Sequence, residues 1–576
     1  MFKLFHRKSL LWLILSLSPV SSELLCRPEG PVVPRPVSLS SSPDFLSAAR
    51  NLSENFSRAL NGTIRAGFPT DNVSFSIAVV SLAQDDPAYL IGSVSKVLSD
   101  AILLKSGLSL DDSITKYLPE LANSDSPVTW DNISLGALAS QLSGVAPNYG
   151  FSEFYYMKDY FESFGFPPLN DSDYAPCGVQ SLNPGCTREQ FLQGMLQVRP
   201  VASSMTRPVY SNIAFSLFVF AVEVATGMNY TEQLRHYVTD PLGMISTTAS
   251  PGVDDQAVIS PTQSSWGSDY GDSAPGGGLV STISDLSTFF HAILSRNETL
   301  LPSSTIHSWL KPQSFAGSSH TSVGTPWEIF TPDAGTLTPD HQHTVPIYAK
   351  NGAAYGYNAQ VAVMDDYGVA VVVLTAGEPQ AYRFIYDATL SSIVRAVDEA
   401  ARAEADERGY TGSFEGPCSD VSGTPEQACF NVTVEQDVDS LKLSVVERNG
   451  SDVLDAIQEI WAVTVGQFLP GPGLSGEFRI FPAEVSEIAI LDDGTEVIRE
   501  DWRIWWPIEP TASGDGSDIP GVGFSAQQDC LGWTTADWLY YGNEALDRLV
   551  FIREAESGMV VGLEIPYLRT SILNGI

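Results

Sequence analysis

Three short groups of residues have the types and spacing that acyl transfer requires. The first is Ser93-Val-Ser-Lys96. Positions i and i+3 of a helix share a face, so the Lys96 amine can lie beside the Ser93 hydroxyl. Serine is a weak nucleophile near neutral pH and needs an adjacent base. The second group is Tyr210-Ser-Asn212. A tyrosine between two lysines has its pKa depressed and can act as a base. A side-chain amide such as Asn212 can orient a lysine and a substrate amide together. The third group is Lys350-Asn-Gly352, shortly before an apolar run from Val361. Each group has a double: Ser113-Ile-Thr-Lys116, Ser308-Trp-Leu-Lys311, Tyr541-Gly-Asn543 and Lys105-Ser-Gly107. A lone match is therefore cheap, and the ordered set carries the signal.

In that order the groups resemble the serine β-lactamase/penicillin-binding-protein superfamily. The Tyr-x-Asn form is similar to its class C β-lactamase, D-Ala-D-Ala carboxypeptidase and esterase branch. Leu110–Glu120, Ser143-Gly144, Pro241–Met244 and Gly276–Leu279 fall between the groups in the family's order. The resemblance spans roughly residues 45–400. It implies that Ser93 is the acylated nucleophile, that Lys96 helps take its proton, and that Tyr210 is the general base and proton relay. Asn212 would contact Lys96 and substrate. Lys350 would sit on a strand edge, lower the Tyr210 pKa and attract a substrate carboxylate. Asn351, Gly352 and Ala353 would lie on the substrate-binding side, the Ser93 and Ala353 N–H groups forming the oxyanion hole. One departure stands out: Asn351 replaces the family's usual Thr or Ser. That points away from β-lactams and leaves ester or amide hydrolysis through a Ser93 acyl-enzyme. The alternatives are an acyltransferase using the same intermediate and a catalytically silent binding protein. No Gly-x-Ser-x-Gly elbow is present, which argues against an α/β-hydrolase.

The elements that must hold these residues follow from periodicity. Helical segments are predicted at 44–66, 93–107, 213–228, 284–295 and 383–408, and a strand at Ser76–Leu82. Val361–Leu374 reads as a hairpin of two buried strands around Asp365–Gly368. The resemblance gives the fold class: an α/β (α+β) arrangement, an antiparallel sheet flanked by helices with a helical subdomain. After Gly409 helical periodicity fades and alternating segments take over, so residues 409–576 read as a mostly-β domain after a catalytic unit at 45–408. The aromatic run Tyr149, Phe151, Phe154, Tyr155, Tyr156, Tyr160, Phe161 and Phe164 is read as lining an apolar acyl pocket or lid, or equally as ordinary helix packing. Trp502, Trp505 and Trp506 are read as β-domain core rather than a carbohydrate platform. His341-Gln-His343 is read as a solvated loop, since no third metal ligand is evident.

Composition bounds the rest. The chain has 576 residues, 31 Lys+Arg against 68 Asp+Glu, and a net charge of -37. Such acidity disfavours nucleic acid and anionic membranes. Residues 409–576 hold 8 Lys+Arg and 28 Asp+Glu, more than half of the excess. Residues 1–22 have a basic start, a short apolar stretch and small residues at Ser21 and Ser22, which reads as a secretory signal peptide. Residues 23–44 read as an extended leader. No membrane anchor and no cofactor or metal is expected. The partner is a small ester or amide, and the oligomeric state is not legible. Ten Asn-x-Ser/Thr triplets begin at Asn51, Asn55, Asn61, Asn72, Asn132, Asn170, Asn229, Asn297, Asn431 and Asn449. They point to a secreted, extracellular glycoprotein. Six cysteines suggest disulfides. Cys177 with Cys186 and Cys418 with Cys429 could clip local loops, leaving Cys26 with Cys530, although sequence does not fix the pairing.

Overall fold

The computed structural model describes residues 27–79, 87–150, 158–178, 185–341, 343–416, 428–468, 473–508 and 532–576. The signal-peptide reading, Cys26, Cys418, Cys530, Phe151, Phe154, Tyr155 and Tyr156 fall outside these residues. The supposed leader is stitched to the body. Val32 and Val33 are buried, and the Val37 and Ser38 N–H groups donate to the Glu404 carboxylate at 2.8 and 3.0 Å. Ser42 then caps helix α1 (Pro43–Leu60) by accepting from Phe45 N–H. Pro43 occupies the first position, where its missing N–H costs nothing. The helix ends at Leu60, short of the predicted limit.

The central sheet has seven antiparallel strands. They are β1 (Val73–Val79), β2 (Ser314–Ser318), β3 (Thr321–Val323), β4 (Glu328–Phe330), β5 (Ile347–Ala354), β6 (Tyr357–Met364) and β7 (Val369–Gly377). Their spatial order is β1-β7-β6-β5-β4-β3-β2. The predicted hairpin is β6–β7, turning through Asp365–Tyr367. Its continuous apolar sequence has a direct cause. Ala370, Val372 and Leu374 feed the core on one face, while Val369, Val371 and Val373 feed the other, so both faces are covered. Helices α2 (Ser95–Lys105), α3 (Ile213–Thr226) and α4 (Ile283–Leu294) contribute to the first core. The long helix α5 (Ala381–Glu407) covers the second face, with partly buried side chains of α1 beside it.

A second sheet follows α5. Its strands are β8 (Gly412–Glu415), β9 (Phe430–Gln436), β10 (Leu441–Arg448), β11 (Phe478–Ile490), β12 (Glu496–Trp505), β13 (Arg548–Glu554), β14 (Val560–Glu564) and β15 (Leu573–Gly575). The order β9-β8-β15-β14-β13-β12-β11-β10 closes on itself because β9 also pairs with β10. The result is an antiparallel β-barrel. Eight strands leave an interior that side chains can fill, and here Tyr410, Phe551, Trp502 and Trp506 fill it. Helix α6 (Val453–Val463) adds Leu454, Ile457 and Trp461 to the same core. Trp502 and Trp506 are thus core residues, and Trp505 packs half-buried against the core shared with α5. Among the described residues no single helix is long and apolar enough to cross a membrane.

Candidate active site

Ser93 does not lie in α2 itself. It sits in a 3-10 turn, Gly92–Val94, that feeds directly into the helix. Strand β5 presses against this turn so closely that only glycine fits. A Cβ on Gly92, whose φ is +50°, would lie 2.5 Å from Ala353 N, and one on Gly352 would lie 2.1 Å from Ile91 O. Two glycines therefore bring the Ser93 and Ala353 backbones together.

Lys96 is fully buried, and its three N–H donors are all used. They go to Ser93 Oγ at 3.1 Å, to Asn212 Oδ1 at 2.6 Å and to Gly276 O. The Tyr210 hydroxyl donates to Ser93 Oγ at 2.6 Å. The Tyr210 ring lies between two ammonium groups, with Lys96 Nζ 4.9 Å and Lys350 Nζ 5.1 Å from its centroid. Asn212 turns its other end to Asn148, donating from Nδ2 to Oδ1 at 2.7 Å. All three groups from the sequence thus meet at one serine.

Electrostatics follow from burial. Desolvation pulls the Lys96 ammonium down to about 8, with Tyr210 opposing the fall and Lys350 assisting it. Burial alone would raise the Tyr210 phenol. The Lys96 and Lys350 charges and the Ser93 hydrogen bond outweigh it, so the phenol lies below its ordinary value. The two groups are coupled, and their protonation steps belong to the pair.

Strand β5 is interior to the sheet, yet β4 pairs with it only from Ile347 to Ala349. Lys350–Ala354 therefore form a local open edge. Lys350 itself is fully buried and is ion-paired with Glu328 Oε1 at 2.6 Å. Glu328 Oε2 accepts from Asn351 N–H at 3.2 Å. The Asn351 side chain is exposed. A cavity of about 900 Å³ opens on Ser93 and is lined by Tyr149, Ile213, Phe191 and Phe220 among others.

The sequence profile of the family described as "Beta-lactamase" matches residues 80–394. The chain belongs to the beta-lactamase family. In this beta-lactamase family chain, residues 401–575 also match the profile described as "Beta-lactamase-like-like, C-terminal domain", which spans the barrel. A "Beta-lactamase-like protein" of Arthroderma benhamiae is 40% identical over 600 residues, covering 98% of both chains. A "Probable hydrolase" of Phoma sp. is 25% identical over 504 residues, covering 85% of this chain and 79% of that one. A solved class C beta-lactamase is 16% identical with a TM-score of 0.43, covering 62% of this chain and 97% of its own.

Within this beta-lactamase family core the doubles have structural places. Ser113 caps a 3-10 turn by accepting from Thr115 N–H, and Lys116 pairs with Asp112 at 2.7 Å. Lys105 ends α2, and Tyr541 lies exposed in the barrel unit. Two site residues escaped sequence reasoning: Asn148 and Glu328. Asn148 lies just past Ser143-Gly144, which was the available pointer. Glu328 is legible only from the β4–β5 register, Glu328↔Ala349.

One expectation needs correction. His341 and His343 are not in a solvated loop. They join a buried polar network in which His343 Nε2 lies 2.8 Å from the Tyr367 hydroxyl and His341 contacts Asp398. Arg402 compensates Asp398 there. Burial holds His343 near 4, against the pull of Asp398, so the ring stays neutral and is no surface group. Among the described residues no group of three or more His, Cys, Asp or Glu side chains is arranged so as to hold a metal ion. Half of the aromatic run lies outside the described residues. Tyr149 lines the cavity, whereas Tyr160, Phe161 and Phe164 are 58%, 39% and 68% exposed. Cys177 and Cys186 are bonded. Cys429 is also in a disulfide, and its candidate partners lie outside the described residues.

One buried group near the site has a stability consequence. Asp100, one turn beyond Lys96, is fully buried, and neither carboxyl oxygen has a hydrogen-bond partner among the described residues. Burial pushes its pKa well up, with the Lys96 charge opposing. A raised acid contributes stability that is full below its unfolded pKa and is lost as pH rises through the folded value. Asp100→Asn is therefore expected to flatten the fall in stability between pH 5 and pH 8, and to raise the denaturant midpoint at pH 8. Equal pH slopes for the two proteins would refute this reading.

Proposed function

We propose that the chain is a secreted serine hydrolase cleaving an ester or amide through an acyl-enzyme on Ser93. The observation that carries this is the placement of one hydroxyl, Ser93 Oγ, within 2.6 Å of the Tyr210 hydroxyl and 3.1 Å of Lys96 Nζ. When Tyr210 is ionised the same contact reverses, and Ser93 donates. Oγ then attacks the substrate carbonyl carbon while its proton passes to Tyr210. The Ser93 and Ala353 N–H groups receive the oxyanion. The ester or amide bond breaks, and Tyr210 returns the proton to the leaving oxygen or nitrogen. Water repeats the sequence in reverse and frees the acid.

Secretion rests on the apolar stretch at the start of the sequence, the Cys177–Cys186 disulfide and the glycosylation triplets. Nine of the ten triplet asparagines are exposed, and Asn431 is half-buried. Asn61, Asn297 and Asn449 each use Oδ1 as an acceptor, which leaves Nδ2, the atom that carries a glycan, unused by that bond. Glycosidase treatment of protein recovered from culture medium is expected to lower its mass.

The decisive test of the chemistry is covalent labelling. Fluorophosphonate and penicillin probes are applied, and the modified peptide is mapped. An adduct on Ser93 is expected from at least one probe. Its absence with every probe would leave the binding-protein reading. Addition of alcohols then separates hydrolysis from acyl transfer, since an acyltransferase would yield the new ester in place of the free acid.

A further inference from the structure

We propose that Glu328 is a specificity-determining residue, and that it restricts the site to acyl donors with no carboxylate beside the bond being broken. This rests on the serine-hydrolase reading above and adds the class of substrate. An incoming carboxylate at the open edge of β5 would need the Lys350 ammonium and the Asn351 N–H. Glu328 holds both, through Oε1 at 2.6 Å and Oε2 at 3.2 Å. Lys350 gives another donor to Asn351 O at 2.9 Å and has no exposed surface. The protein thus supplies its own carboxylate at the position where a substrate's would bind. A second anion there meets repulsion rather than a free cation.

The rest of the site supports the same selection. Lys96 spends its donors on Ser93, Asn212 and Gly276. Among the described residues, those lining the cavity include no Lys, Arg or His, and their one charged member is Asp272. Arg188, stacked over the Phe220 ring, is engaged by Glu223. Asn351 adds no hydroxyl at the edge. The pocket wall of Tyr149, Phe191, Ile213 and Phe220 suits an uncharged, apolar acyl group.

The test compares phenyl phenylacetylglycinate with its 3-carboxyphenyl counterpart, two esters that differ by one carboxylate on the leaving group. The wild type is expected to favour the neutral ester in kcat/KM by about 30-fold or more, with the preference shrinking in high salt. Glu328→Gln keeps an acceptor for Lys350 but removes the charge. It is expected to move the ratio at least about tenfold toward the carboxylate ester. Phenylboronic and 3-carboxyphenylboronic acids, titrated by calorimetry, report the same discrimination without turnover. Equal use of both esters by the wild type, or a ratio unmoved by Glu328→Gln, overturns the role of Glu328 while leaving the serine hydrolase standing. If neither ester reacts and neither boronate binds, the hydrolase reading falls and this proposal falls with it.

Discussion

Ser93→Ala is expected to reduce kcat/KM for any ester substrate by at least about 10⁴-fold, to the level set by binding and the oxyanion hole alone. Ser113→Ala is expected to leave it within about twofold. The contrast follows from geometry. Ser93 Oγ receives both Tyr210 and Lys96, and its backbone abuts Ala353 across two glycines. Ser113 only caps a short turn, and its Lys116 is already engaged by Asp112. Losing that cap costs about 1 kcal/mol of stability and no chemistry. Parallel rate measurements decide the matter, with probe labelling as a control. Equal losses in the two variants would show that the wrong serine had been assigned.

Tyr210→Phe is expected to cost about 10²–10⁴ in kcat, because the ring stays packed while the proton acceptor is gone. The companion variant, Lys350→Met, reads the electrostatics. It removes one of the two cations that hold the Tyr210 phenol below its ordinary value. It also leaves Glu328 without its partner at 2.6 Å. Both changes make ionisation of Tyr210 harder. The base form is then reached only at higher pH, and the acid limb of kcat/KM moves upward in the pH profile. Because Lys96 is itself held near 8, the limb reports the coupled pair rather than one residue. An unmoved limb in Lys350→Met would mean that Tyr210 is not the base.

The groups that meet at Ser93 were legible because they are written in short spacings. Ser93 and Lys96 are one helical turn apart, and Tyr210 with Asn212 immediately precedes an apolar helix. The β6–β7 hairpin was legible because burial on both faces demands an unbroken apolar run. Glu328 was not, since its importance comes from a strand register joining it to a lysine 22 positions away. His341 and His343 misled for a similar reason. Their partner Asp398 lies on α5, 57 residues after His341, and nothing nearby in sequence announces that burial. The aromatic run left its role open because apolar side chains show only that a surface wants covering: Tyr149 lines the cavity, while Tyr160 and Phe164 stack on each other at an exposed surface. The alternating segments after Gly409 gave strands, but the pairing of β8 with β15 could not be read from either alone.

That pairing bears on the order in which the molecule assembles on the ribosome. The central sheet is complete once β7 has paired with β1, Val73↔Gly377, and α5 has covered it, so the catalytic half can form after about residue 407 emerges. The barrel has no such early stopping point. Its first strand, β8, must wait for β15 to arrive at residues 573–575, through Phe414↔Gly575. Until synthesis reaches them, β8 keeps one side unpaired. An acidic chain, repelling its own copies, is well suited to that interval.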